Sequence, residues 1–211
     1  MRISEDRYTR DLRRIQLAHR LIRHDVRTYW IRAFTHFTEG RIRNLLRSYG
    51  FAADGVHRRR GSPPRLYTKF MTPKNHSEAS ALAGIALIWH LVPAEPVSNA
   101  WRTLPSLDLG EELCEAFELF RLMIPGASLN LDRFILLVLA LAERQLTVGR
   151  CSLCRALILL DPLGVKRRIC VHCEKDPSPV IPGSPGPDGE ASSNDTPETS
   201  SSRRGKQQKL F

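Results

Sequence analysis

Apolar residues recur at spacings of three and four through the first quarter of the chain, which is the period of a helix with one buried face. The first such stripe consists of Leu12, Ile15, Ala18, Ile22 and Val26. It predicts a helix over about residues 5–24, and a second helical stretch follows over about residues 26–37. Thr38 can cap a third helix, which Gly50 ends. Two short helices joined by a tight connection have the layout of a helix-turn-helix.

Beyond the third helix the pattern becomes irregular before it turns helical again. Residues 51–74 contain a basic run and two consecutive prolines, so we predict an ordered loop there. Helices are predicted over about residues 78–91, 109–123 and 129–147, and the last is apolar nearly all round, which places it at the centre of the core. Residues 176–202 are rich in proline, serine and glycine and contain no aromatic residue, a composition that predicts disorder.

Positive charge is concentrated in the N-terminal region. Residues 1–60 contain 15 arginines, no lysine and six acids, a net charge of +9, whereas the whole 211-residue chain carries +10. Arginine suits bidentate contact with phosphate or guanine, so the expected partner is nucleic acid. The alternative interpretation is a basic face that only meets solvent.

The apolar segments are too short for a membrane span, because the longest run, residues 134–142, has nine residues. The first residues also lack the apolar stretch of a signal peptide. We therefore expect a cytoplasmic protein with no membrane contact. In that reducing compartment, the five cysteines are expected to be metal ligands or buried thiols rather than disulfides.

Four of the five cysteines form two C-x2-C pairs separated by 15 residues, which is the spacing of a tetrathiolate zinc site. The four expected ligands are Cys151, Cys154, Cys170 and Cys173. Between the pairs, residues 157–160 and 165–169 are predicted to form a hairpin, joined by a turn at residues 161–164. Four thiolates close the tetrahedron, so we expect one structural Zn2+ per chain rather than a catalytic one. The basic residues that can offset its charge are Arg150, Arg155, Lys166, Arg167 and Arg168.

Other chemistry-bearing residues have simpler interpretations. The two cysteine pairs could instead be unrelated reactive dithiols, and His172 could replace one cysteine as a ligand. Cys114 is expected to be a small buried side chain. Four acids have helical spacing and form either a solvated face or a metal or acid–base site. They are Glu111, Glu112, Glu115 and Glu118. The sequence contains no recognisable nucleophile motif or phosphate-binding glycine loop, so we do not expect an enzyme.

These patterns predict a mainly α fold with four parts. Residues 1–60 form an arginine-rich, helix-turn-helix-like DNA-binding part, and residues 61–148 form a helical core. Residues 149–175 form a C-terminal four-cysteine zinc-ribbon module, and residues 176–211 form a disordered tail.

In combination, these features resemble the flagellar transcriptional activator subunit family FlhC, over about residues 11–175. Its N-terminal motifs are matched by Ile15-Gln16-Leu17-Ala18, Leu21-Ile22 and Thr38-Glu39-Gly40-Arg41-Ile42-Arg43-Asn44-Leu45-Leu46. Its later motifs are matched by Arg60-Gly61-Ser62-Pro63-Pro64, Asn75-His76-Ser77, Ala79-Ser80 and the four cysteines. The most specific part of the resemblance is the Arg-Gly-Ser-Pro-Pro loop ahead of a four-cysteine site.

The resemblance implies a bacterial DNA-binding activator of flagellar (motility) genes, working in a hetero-oligomer with an FlhD-type subunit. It also implies one zinc ion bound by the four cysteines. The expected partners are promoter DNA, the FlhD-type subunit and RNA polymerase. The residues expected to contact DNA are Arg41, Arg43, Asn44, Arg47, Arg58, Arg59 and Arg60. The alternative function is a zinc-containing protein-interaction adaptor without sequence-specific DNA binding, whose arginines bind acidic protein surfaces.

Overall fold

The computed structural model describes residues 2–48, 67–164 and 168–176, with side chains from residue 7 onward. This part of the chain is mainly helical, as predicted, and ends in a two-stranded sheet followed by a short helix. Its helices are α1 (Arg2–Arg23), α2 (Thr28–Thr35), α3 (Glu39–Ser48), α4 (Pro73–Ile88), α5 (Ala100–Thr103), α6 (Leu107–Met123), α7 (Leu131–Ala142) and α8 (Val171–Lys175). Its strands are β1 (Thr147–Arg150) and β2 (Leu157–Leu160), and a short 3-10 helix, Tyr67–Met71, precedes α4.

Helix α1 buries one face, although that face is rotated from the predicted one. The residues of α1 at its centre are Leu17, Ala18, Leu21 and Ile22, each at most 5 % exposed. Leu12, which the stripe predicted to face inward, is 42 % exposed. At about 100° per residue, Leu12 lies roughly 120° around the helix from Ala18, so it falls at the edge of the contact.

Helices α2 and α3 form the predicted helix-turn-helix-like pair, joined by residues 36–38. His36 has a φ of 57°, and this left-handed residue ends α2 by donating its backbone N–H to the carbonyl of Arg32. Thr38 then caps α3, because its Oγ1 accepts from the backbone N–H of Arg41 at 3.3 Å. The pair packs on α1 and α6 through the buried side chains of α2, among them Trp30 and Phe34.

Helix α7 lies at the centre of the core, as its apolar sequence predicts, with 11 of its 12 residues buried. It ends at Ala142 rather than at residue 147. The backbone N–H groups of Gln145 and Leu146 both donate to the carbonyl of Ala140, and Arg144 has a φ of 57°. This left-handed turn closes the helix, and the following residues are free to pair as β1.

A buried ion pair joins the start of α2 to the start of α7. Arg27 Nε lies 3.0 Å from Asp132 Oδ2, and the side chains are 17 % and 2 % exposed, respectively. The backbone N–H of Arg27 also donates to Asp132 Oδ1 at 3.3 Å. Asp132 is thus held at two points by the chain that enters α2.

Two local predictions differ from the fold. The irregular loop was predicted to reach residue 74, but α4 begins at Pro73, whose fixed φ suits the first helical position. The loop over residues 51–66 lies outside the described part of the chain. The short helix α5 was not predicted, because four residues are too few to show a helical period.

The chain divides after Val180 into two units, Met1–Val180 and Ile181–Phe211. The described residues lie in the first unit, and the tail predicted to be disordered lies outside them from residue 177. The division of the first unit at residues 60 and 148 stays a prediction. Among the described helices, none combines the length and the apolar character needed to cross a membrane.

Candidate metal centre

The first cysteine pair lies in the loop of an antiparallel hairpin made by β1 and β2. The register pairs Arg150 with Leu157, so residues 151–156 connect the two strands. Within this loop, the backbone N–H of Cys151 donates to the carbonyl of Ala156 at 2.8 Å. The hairpin thus presents the first two sulfurs at its tip.

The predicted hairpin between the two cysteine pairs is wrong in its second strand. Residues 157–160 do form β2, but their partner is β1, which precedes the first pair. Residues 165–167 lie outside the described part, and Arg168 and Ile169 are not in a strand. The turn at residues 161–164 is confirmed by the hydrogen bond from Gly164 N–H to the Asp161 carbonyl at 3.0 Å. β1 and β2 pair because a six-residue loop joins them, so closing the hairpin has a small entropic cost.

The second cysteine pair lies at the start of α8. Cys170 precedes this helix, and its Sγ accepts from the backbone N–H of Cys173 at 3.4 Å. The backbone N–H of Cys170 in turn donates to Cys151 Sγ at 3.3 Å. A third hydrogen bond, from Ser152 N–H to the Arg168 carbonyl at 2.8 Å, fastens the incoming segment to the hairpin tip.

The four sulfurs form one cluster. The Sγ atoms of the four cysteines all lie within 4.8 Å of one another, and those of Cys154 and Cys170 are 3.6 Å apart. A tetrahedral zinc site with Zn–S bonds of about 2.3 Å has sulfur–sulfur edges of about 3.8 Å. The arrangement therefore fits a single ion held by four thiolates, with no position left open for water or substrate. Exposed His172 is not part of this cluster.

Hydrogen bonding prepares one of the cysteines to ionise. Burial raises the pKa of Cys151, but backbone N–H groups, those of Cys154 and Cys170 among them, outweigh burial and lower that pKa to about 6. The pKa of Cys173 is raised to about 12, because its thiol is hydrogen-bonded to the sulfurs of Cys170 and Cys154. The lowered pKa of Cys151 favours the thiolate form, which is the form that binds a metal cation.

Three of the five basic residues proposed to offset the charge of the cluster lie in the described part of the chain. Arg150, Arg155 and Arg168 are exposed beside it, whereas Lys166 and Arg167 lie outside the described part. Their positive charge can offset the roughly −2 net charge of a zinc ion with four thiolates.

Helix α4 supports the hairpin through two buried polar side chains. Ser80 Oγ accepts from the backbone N–H of Leu159 at 3.0 Å, and His76 Nε2 lies 2.8 Å from the carbonyl oxygen of the same residue. Both backbone groups of one strand residue are therefore satisfied by α4. Sequence reasoning singled out His76 and Ser80 only as part of a resemblance, since their partner lies about 80 positions away.

The residues predicted to contact DNA on α3 lie together on its surface. Arg41, Arg43, Asn44 and Arg47 are all exposed, while Ile42 between them is buried. The guanidinium carbon of Arg41 lies 4.2 Å from the centroid of the Phe37 ring. The remaining predicted contacts, residues 58–60, lie outside the described part.

Two arginines of α1 form ion pairs with acidic residues of α6. Arg13 pairs with Asp108 and Glu111, both at 2.5 Å. About two turns further along α1, Arg20 pairs with Glu118 at 2.9 Å, and the Glu118 carboxylate also lies 3.0 Å from His24.

The interpretation of these acids as a solvated face is therefore incomplete. Glu111, Glu115 and Glu118 form ion pairs with arginines of α1. Sequence spacing within α6 alone could not reveal partners nearly 100 positions away. Cys114, on the same helix, is fully buried as predicted, and burial raises the pKa of its thiol to about 12.

In comparisons with known proteins, the chain matches no family model and no curated protein. The function proposed below is therefore argued from the residues and their geometry.

Proposed function

We propose that this protein is a DNA-binding transcription regulator whose α3 faces the duplex. The observation that carries this proposal is the exposed row of Arg41, Arg43, Asn44 and Arg47 on the second helix of a helix-turn-helix-like pair. In helix-turn-helix proteins the second helix enters the major groove. Arginine and asparagine side chains on such a helix can contact phosphate and base edges.

The distribution of ion pairs separates the arginines of α3 from Arg13 and Arg20 of α1. Those two are engaged with carboxylates of α6, so their charge is neutralised within the fold. Arg43 and Arg47 form no ion pair with any residue in the described part of the chain. Their charge is available to a phosphate backbone, where it would release counterions on binding.

The cysteine cluster is proposed to hold one structural Zn2+ per chain. Four thiolates at these separations match the ligand set and size of a closed zinc site. The ion would cross-link the two cysteine pairs and would take no part in catalysis. The cysteines would bind it, while Ser80 and His76 keep strand β2 of the hairpin attached to α4. We accordingly propose a binding role and not catalysis.

More specifically, we propose an FlhC-type activator of flagellar genes that works with an FlhD-type subunit at promoter DNA, with RNA polymerase as the recruited partner. The support is the resemblance of the motifs, above all Arg60-Gly61-Ser62-Pro63-Pro64 ahead of the four cysteines, together with a mainly helical fold that carries the cysteine cluster. The proposed place of action is the cytoplasm.

Co-purification tests this specific proposal. The full chain is expressed with a candidate FlhD-type subunit from the same genome, and the isolated complex is applied to labelled flagellar promoter fragments. A stable complex that retains promoter fragments over unrelated DNA of equal length is expected. Failure of the two subunits to associate, with the chain itself folded and zinc-loaded, would contradict the FlhD-type partnership.

A second candidate function, the protein-interaction adaptor, is favoured by an apolar groove of about 870 Å3 between α4 and the hairpin. Large side chains in it reach solvent, since Ile88 is 76 % exposed, Leu157 41 % and Leu153 36 %. Exposed apolar surface of this kind is typical of protein contacts. A chain that binds protein partners through this groove but has no affinity for any duplex would favour the adaptor.

A further inference from the structure

Arg41 differs from the other cations of α3 because its side chain is held by an aromatic ring. Its guanidinium carbon lies 4.2 Å from the Phe37 ring centroid, and Phe37 is only 5 % exposed, whereas Arg41 is exposed. A guanidinium stacked on a ring keeps its N–H edge free for two parallel hydrogen bonds. The side chain therefore loses less freedom on binding than an unsupported arginine would.

The ring itself is fixed by the turn between α2 and α3. The backbone N–H of Phe37 donates to Thr35 Oγ1 at 3.3 Å, and that hydroxyl donates to the Ile31 carbonyl at 2.6 Å. Thr38 caps α3 through the backbone N–H of Arg41. Both the ring and the backbone of Arg41 are thus set by the same short turn.

The other two arginines on this face lack such support. Within the described residues, neither Arg43 nor Arg47 stacks on a ring or pairs with a carboxylate. Arginine side chains without such support suit phosphate contacts, which depend on charge more than on the orientation of the guanidinium. Arg41 is moreover the third residue of α3, and the N-terminal residues of the second helix are those that contact base edges in helix-turn-helix proteins.

We infer that Arg41 is the specificity-determining residue of α3, contacting the O6 and N7 acceptors of a guanine in the major groove, and that Phe37 is its positioning residue. This inference rests on the proposed DNA binding. A bidentate arginine–guanine contact discriminates against a wrong base by roughly 5- to 150-fold.

The test starts from duplexes that the zinc-loaded full chain enriches from a random pool. Each enriched guanine is then replaced singly by 7-deazaguanine, which removes the N7 acceptor. For the wild type, one such position should weaken binding by roughly 2- to 15-fold, because only one of the two hydrogen bonds of the bidentate contact is removed. Arg41→Met should lose this sensitivity, because a thioether side chain has no N–H to donate to N7. Arg43→Met, on the same helix, should keep it whatever happens to overall affinity.

Phe37 is tested in the same assay. Phe37→Tyr, which retains the ring, should keep the sensitivity to 7-deazaguanine, and Phe37→Leu should reduce it while the helical circular dichroism is unchanged. The inference is overturned if Arg41→Met weakens all duplexes equally, which would make Arg41 a phosphate contact, or if it keeps the guanine sensitivity. A wild type that enriches no duplex at all, either alone or in complex with the FlhD-type subunit, would instead overturn the proposed DNA binding itself.

Discussion

Replacing Arg27 by Met tests the buried ion pair between α2 and α7. Arg27→Met keeps the aliphatic stem but removes the guanidinium, whose Nε lies 3.0 Å from Asp132 Oδ2. The carboxylate left behind is on a side chain that is only 2 % exposed. It would keep the backbone N–H at 3.3 Å but lose its cation.

The expected loss follows from that burial. Breaking a buried pair costs about 3–5 kcal/mol of unfolding free energy, because an uncompensated charge remains inside. Since the Arg27 side chain is 17 % exposed, the pair is partly hydrated, and we expect about 2–4 kcal/mol. The double variant Arg27→Met/Asp132→Leu removes both charges, so it should be more stable than Arg27→Met alone. As a matched control, Arg32→Met breaks a pair with Glu39 whose side chains are 55 % and 58 % exposed, and should cost less than about 1 kcal/mol.

The assay is urea unfolding of the zinc-loaded protein, followed by helical circular dichroism. The free energy of unfolding and its urea dependence are fitted for all four proteins. The reasoning is refuted if Arg27→Met lies within 1 kcal/mol of the wild type, or if the double variant is no more stable than Arg27→Met.

Reduced protein should bind one Zn2+ per chain by metal analysis, and Cys154→Ser should lower both zinc content and melting temperature; unchanged values would argue against the metal site. Gly110→Ala should destabilise the fold by about 1–2 kcal/mol in a thermal melt, because its Cβ would lie 2.7 Å from Leu17 Cδ2. Gly84→Ala, whose Cβ would lie 3.7 Å from Leu157, should instead stabilise the fold by about 0.5–1 kcal/mol. Equal effects of the two substitutions would contradict the packing around Gly110. Burial raises the pKa of Cys114 to about 12, so only about one molecule in 10⁴ should carry the thiolate at pH 8. Cys114 should therefore resist alkylation until urea unfolds the chain, as counted by mass spectrometry. Labelling of Cys114 in the folded protein would contradict its burial.

The features predicted from the sequence depend on residues close together in the chain. The periodicity of α1, the capping residue Thr38 and the apolar run of α7 each lie within one element, and each C-x2-C pair lies within one turn. Local signals of this kind also predicted the turn at residues 161–164.

The features that were missed depend on partners distant in sequence. β2 was predicted, but β1 was not, and the helix predicted over residues 129–147 included its first residue, Thr147. The acids of α6 were read without their partners on α1, which lie 98 positions earlier for Glu111 and Arg13. The support of Arg41 by Phe37 required the geometry of the turn, since a spacing of four does not by itself show a ring beneath a guanidinium.

The measurement that most directly tests the central proposal is the salt dependence of DNA affinity for two double variants. Fluorescence anisotropy of a labelled duplex gives the affinity of the zinc-loaded chain at several salt concentrations. Arg43→Ala/Arg47→Ala and Arg13→Ala/Arg20→Ala remove the same charge, but only the first pair lies on α3, and the second is engaged with α6.

The account predicts that Arg43→Ala/Arg47→Ala lowers the slope of log affinity against log salt by up to about 1.8, at roughly 0.9 per lost phosphate contact, while Arg13→Ala/Arg20→Ala leaves the slope near that of the wild type. Equal slopes for all three proteins, or an equal decrease in both variants, would contradict the assignment of DNA binding to α3.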